Sequence, residues 1–149
     1  MMKKLIMSIT IVGIMLLTLT GCGTTKKAYT YNVETGDAIE VELTMNGGYD
    51  ITSDIPFVIS KDGKNLSQGS FITDAGYNQY ISLVNNDSNS RIIESTTKNG
   101  LQYTFYTYNN TEWNYIIKIV NSNSGLLLGN NISEESARDC FERLVITKK

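Results

Sequence analysis

Residues 101–121 read Leu101-Gln102-Tyr103-Thr104-Phe105-Tyr106-Thr107-Tyr108, then Asn109-Asn110-Thr111-Glu112, then Trp113-Asn114-Tyr115-Ile116-Ile117-Lys118-Ile119-Val120-Asn121. Two runs rich in aromatic and β-branched side chains, joined by a short Asn-rich segment that tolerates positive φ, predict an antiparallel hairpin. Side chains alternate across a strand, so Leu101, Tyr103 and Phe105 share one face and Gln102, Thr104, Tyr106 and Tyr108 the other. In the second run Trp113, Tyr115, Ile117 and Ile119 share a face, while Asn114, Ile116, Lys118 and Val120 share the opposite one. Apolar groups on both faces argue for a sheet that is at least partly covered on each side. Residues 91–97, ending in the turn Lys98-Asn99-Gly100, add a preceding strand and complete a three-strand meander.

Outward from the meander the hydrophobic period changes. Tyr77, Tyr80, Ile81 and Val84 fall at i, i+3, i+4 and i+7, which predicts a helix over 75–85 with Asp74 as its cap. The Asn- and Ser-rich residues 85–90 form a loop. On the far side, Ser133 caps a second helix with Glu134 and Glu135 in its first turn. Ala137, Cys140, Phe141 and Leu144 form its single apolar stripe. Earlier in the chain, Ile39, Val41, Leu43 and Met45 alternate with Glu40, Glu42 and Thr44 over 38–45, a half-buried strand that ends at Asn46-Gly47-Gly48. Residues 49–52 and 55–60 are further strand candidates, and Lys61-Asp62-Gly63-Lys64 is a turn.

The elements add up to an α+β domain over 37–149. An antiparallel sheet of about five to seven strands carries an inserted helix, with a C-terminal amphipathic helix packed on it. That order, including Leu126-Leu127-Leu128-Gly129 running into the helix capped by Ser133, resembles the PsbP-like fold. This α-β-α arrangement is known from a thylakoid accessory protein of photosystem II and from small bacterial lipoproteins. The resemblance implies a binding or assembly role and carries no site residue with it.

The start of the chain has a separate reading. Lys3 and Lys4 precede an apolar run over 5–19 that turns polar too soon for a spanning helix, which needs roughly 20 apolar residues. The run ends in Leu19-Thr20-Gly21-Cys22. These four positions resemble the lipobox of bacterial lipoproteins: a branched apolar residue, a short one, a small one, then cysteine. The resemblance implies removal of residues 1–21 as a signal peptide, a covalent diacylglycerol on the Cys22 sulfur, and further acylation, for example by palmitate, of the new amino end. Residues 22–36 then read as the lipidated cysteine and a flexible tether spanning about 20 Å. The expected address is the extracytoplasmic face of the cell membrane, with the bilayer's lipid as one partner.

Composition narrows the chemistry. Without the leader's two lysines, 11 basic side chains face 15 acidic ones, a net of −4, which does not favour nucleic acid as a partner. The chain has no histidine, so a Ser-His-Asp or Cys-His arrangement and a His-containing zinc site are excluded. No metal site is expected, because the Asn and Asp residues over 85–89 lack the spacing of a calcium loop. Cys140 reads as a core cysteine on its helix stripe. Glu40 and Glu42 lie about 7 Å apart on one strand face, compatible with a glycosidase carboxylate pair, although alternating charge on a solvent face is the commoner meaning.

Tyr106, Tyr108 and Trp113 form a candidate aromatic platform for a sugar, a peptidoglycan strand or a protein. The sequence therefore points to a non-enzymatic envelope module that binds a protein or cell-wall ligand. A cell-wall glycan hydrolase using Glu40 and Glu42, or an immunity-type inhibitor, is the alternative.

Overall fold

Alternation governs the first half of the chain: Ile39, Val41 and Leu43 are fully buried, while Glu40 and Glu42 point outward from the same strand. Burying each such branched side chain contributes about 1.5–3 kcal/mol as an upper estimate. The computed structural model describes residues 25–149 together with the backbone of Thr10–Met15. The lipobox residues Leu19, Thr20, Gly21 and Cys22, and with them the lipid attachment, lie outside the described residues.

In chain order the elements are β1 (Thr10–Met15), β2 (Lys26–Asn32), β3 (Ala38–Thr44), β4 (Tyr49–Ile51), β5 (Phe57–Lys61), β6 (Lys64–Thr73) and α1 (Asp74–Asn86). There follow β7 (Ser90–Lys98), β8 (Leu101–Tyr108), β9 (Glu112–Ile119), β10 (Ser124–Asn130), α2 (Glu134–Glu142) and β11 (Leu144–Lys148). The protein is α+β, with two helices among the described residues and two antiparallel sheets. The larger sheet has the order β4-β5-β6-β10-β9-β8-β7; the smaller is built on β2-β3-β11, with the backbone of β1 along the outer edge of β2.

The two sheets share one core. Tyr31, Ile39, Val41 and Leu43 from the small sheet pack with Phe57, Phe71, Phe105, Ile117 and Leu126 from the large one. Next to them, Phe105, Tyr115 and Phe141 form a stack with ring centroids 4.2 and 4.1 Å apart. The opposite face of the large sheet is covered in part by α1, where Tyr77 and Val84 pack on Ile116. Strand β9 is thus buried on its core face at Tyr115, Ile117 and Ile119 and covered on the other face at Ile116.

Four features depart from the sequence reading. The stretch taken as a tether is ordered as β2 from Lys26 onward, because Tyr29 and Tyr31 face the shared core. The strand at 38–44 belongs to a second sheet rather than to the meander's sheet. The second helix stops at Glu142, and Leu144 pairs with Leu43 in β11, so a strand follows the helix. Thr73, not Asp74, caps α1: its Oγ1 accepts from the Gly76 N–H at 3.1 Å.

A buried acid ties the sheets together. Asp37, in the turn between β2 and β3, accepts through Oδ2 from Ser124 Oγ at 2.8 Å, the Asn123 N–H at 2.9 Å and Thr35 Oγ1 at 3.2 Å. Its Oδ1 faces Lys148 Nζ at 3.4 Å. Burial opposes the charged form, but these donors outweigh it and hold the carboxyl below its usual range.

Candidate functional site

The outer face of the large sheet changes character along its length. Under α1 the rung Ser70–Leu127–Ile116 is largely apolar and packs on the helix. Two residues further on, the rung is Gln68–Gly129–Asn114, with Tyr106 next in register on β8. Alternation puts Gln68, Gly129 and Asn114 on the α1 side of the sheet, where Gln68 is exposed.

Just beyond this rung β10 leaves the sheet. Asn130 is its last paired residue, opposite Ser67 on one side and Trp113 on the other. The departure is fixed by the buried Asn130 amide. Its Nδ2 donates to Ser67 Oγ at 2.9 Å and Ser136 Oγ at 3.0 Å, and its Oδ1 accepts from the Ile132 N–H at 2.9 Å. Strands β6 and β9 continue past that point without β10 between them, so a slot opens about two inter-strand spacings wide, close to 10 Å.

The slot is a cleft of about 450 Å³, lined chiefly by Asn65, Leu66, Gln68, Glu112, Asn114 and Gly129. Its volume is within the roughly 300–1,000 Å³ of small-molecule sites. Among the described residues the lining holds side-chain amides, one carboxylate, the Ser67 hydroxyl and Leu66, and no lysine or arginine. Among the described residues the side chains of Asn65, Gln68 and Glu112 make no hydrogen bond or ion pair within the protein. They face solvent ready to donate and accept. Gly129 forms the floor: a Cβ there would lie 3.0 Å from Asn114 Oδ1, so the Asn114 amide leans across the glycine.

The residues singled out from sequence are distributed differently. Tyr106 is half-buried on the cleft's face and packs toward α1, where burial pushes its hydroxyl up. Tyr108 is also half-buried and on that face. Trp113 points to the other side of the sheet and packs against the main core, so the three rings do not share one surface. Much of the remaining aromatic content serves the core stack.

Glu40 and Glu42 sit on the outer face of the small sheet, each in an ion pair, with Lys149 at 2.8 Å and Lys26 at 2.9 Å. Cys140 is fully buried, and burial pushes its thiol up, which suppresses the thiolate. Asp87, in the loop after α1, spends its carboxylate on the Asn89 N–H and Ser90 Oγ. Among the described residues no group of three acidic or cysteine side chains is placed to hold a metal ion. No helix among them is long and apolar enough to cross a membrane.

A second polar cluster lies over the core stack. Tyr103 donates to Glu94 Oε1 at 3.1 Å, and Arg138 bridges Glu94 and Glu134, each at 3.1 Å, with its guanidinium 4.8 Å above the Phe105 ring. Every charge here has its partner, which makes the cluster a brace for α2. The cleft, by contrast, leaves the side chains of Asn65, Gln68 and Glu112 open.

The chain matches no protein-family model, no curated protein and no solved structure. Its site is therefore read from its own geometry. Sequence reasoning missed the cleft because Gln68, Asn114 and Gly129 come from three separate strands. The available signal was an excess of Asn and Gln within strand-forming stretches.

Proposed function

We propose that this protein is a lipid-anchored, extracytoplasmic binding module of a bacterial envelope. The anchoring half rests on Leu19-Thr20-Gly21-Cys22 at the end of an apolar run. The binding half is carried by one observation: a cleft lined by solvent-facing amides and one carboxylate, opened where β10 leaves the large sheet. Two or three acyl chains on Cys22 suffice for firm attachment, at about 0.8 kcal/mol per buried methylene. On this reading β1 leaves with the leader, and the mature small sheet is β2-β3-β11.

A non-catalytic role is supported by the chemistry at hand. Glu40 and Glu42 are engaged by lysines on a sheet surface, and Cys140 is sealed in the core. Helices on opposite faces of an antiparallel sheet also favour the PsbP-like resemblance, with the small sheet as an addition to the arrangement inferred from sequence. The test is mass spectrometry of the protein purified from its own cells, with membrane fractionation of the Cys22→Ala variant. A diacylglyceryl mass on Cys22 and release of the variant from membranes are the expected results. A free thiol at Cys22, or an intact leader, would overturn the reading.

A further inference from the structure

Resting on that binding role, we infer that the cleft between β6 and β9 takes a neutral saccharide chain carrying hydroxyl and acetamido groups. The choice of ligand class follows from what the lining offers and what it withholds. Gln68, Asn114 and Asn65 present paired donors and acceptors, the complement of hydroxyl and amide groups, and Glu112 adds a strong acceptor for sugar hydroxyls. Among the described residues no lysine or arginine lines the cleft, which leaves no countercharge there for phosphate or carboxylate groups.

An extended peptide added as a strand fits less well. Such a peptide draws its affinity from main-chain bonds along a free strand edge. Beyond Asn130 the β9 edge offers only Glu112, whose carbonyl already accepts from Thr107 Oγ1 at 2.8 Å, so an added strand would be held on the β6 side alone, over residues 64–66. Recognition then rests chiefly on the side chains that line the cleft. Gly129 keeps the floor flat enough for a sugar ring, since any side chain there enters the space over Asn114.

The test is calorimetric titration of the intact lipidated protein in detergent micelles with a linear tetramer of N-acetylglucosamine and, separately, with tetra-alanine. Saturable binding of the sugar tetramer is expected. It should weaken about tenfold or more in Gly129→Gln, which fills the cleft, and in Gln68→Ala, which removes an exposed amide while leaving the fold intact. Binding of tetra-alanine in place of the tetramer, with the same loss in both variants, would overturn the saccharide assignment and leave the binding role standing. No saturable binding of the tetramer up to about 10 mM, or binding unchanged in both variants, would also overturn it. The state of Cys22 judges the anchoring separately.

Discussion

Replacing Asp37 by alanine tests whether the two sheets are fastened by one buried carboxylate. The substitution removes the acceptor for Ser124 Oγ, the Asn123 N–H and Thr35 Oγ1, and the countercharge of Lys148. Bonds to a charged group contribute about 1.5–3 kcal/mol each. Ser124 keeps a partner, Thr35 Oγ1 at 2.6 Å, and the exposed Asn123 regains water, which points to the lower end. The two strongest bonds together then give a loss of about 3 kcal/mol. With an unfolding entropy of about 2.1 cal/mol/K per residue over roughly 125 residues, that lowers Tm by about 11 °C.

The same loss has a pH signature. A carboxyl held below its usual range when folded stabilises the protein fully above its unfolded pKa of about 3.9. That contribution disappears as pH falls through the lower, folded value. Thermal unfolding followed by circular dichroism should therefore show a constant gap between wild type and Asp37→Ala from about pH 5 to 8, narrowing below about pH 4. A Tm change under about 2 °C, or a gap that persists undiminished at about pH 2, would refute the reasoning.

Three further outcomes are expected. Gly69→Val should destabilise by about 3 kcal/mol or more in urea titration, because the fully buried Phe57 ring occupies the space of any Cβ there and overpacking strains the core. Cys140 should stay unreactive to a thiol reagent in the native protein and react at once in denaturant, since its sulfur is buried and its pKa raised. Glu40→Gln combined with Glu42→Gln should change stability by no more than about 1 kcal/mol, since both pairs are with lysines on the surface.

The turns were the most legible part of the fold, because their chemistry is local. Asn99-Gly100 and Asp62-Gly63 both adopt positive φ and close two-residue hairpins where the sequence placed turns. Helix α1 was likewise readable from its period, though not its cap at Thr73, and the cap at Ser133 from the acidic turn that follows it. What escaped depends on partners distant in sequence. Strand β6 mixes Ser, Gln and Gly with few large apolar groups, and its Gly69 becomes intelligible only beneath Phe57.

Strand β10 carries Gly125 near its start, where a Cβ would meet the Ile117 carbonyl oxygen at 2.5 Å, a constraint set by the neighbouring strand. Leu144 suits a helix stripe as well as a strand. Pairing with Leu43 decides it, helped by Arg143, whose guanidinium stacks 3.8 Å over Tyr49 at the helix end. Tyr29 and Tyr31 looked like tether residues because nothing nearby in the sequence reveals the core they enter. The cleft was hidden for the same reason, being an absence of strand between β6 and β9.

The pairing of β3 with β11 carries a consequence for the order of folding. Leu43 meets Leu144 with the whole large sheet between them in the chain, so closing this contact carries a high loop entropy and is expected late in folding. Without β11 the residues of β3 have a strand neighbour on the β2 side alone. The small sheet is thereby closed by a strand from beyond α2, so loss of β11 leaves β3 with an open edge and uncovers Ile39, Val41 and Leu43 on that side.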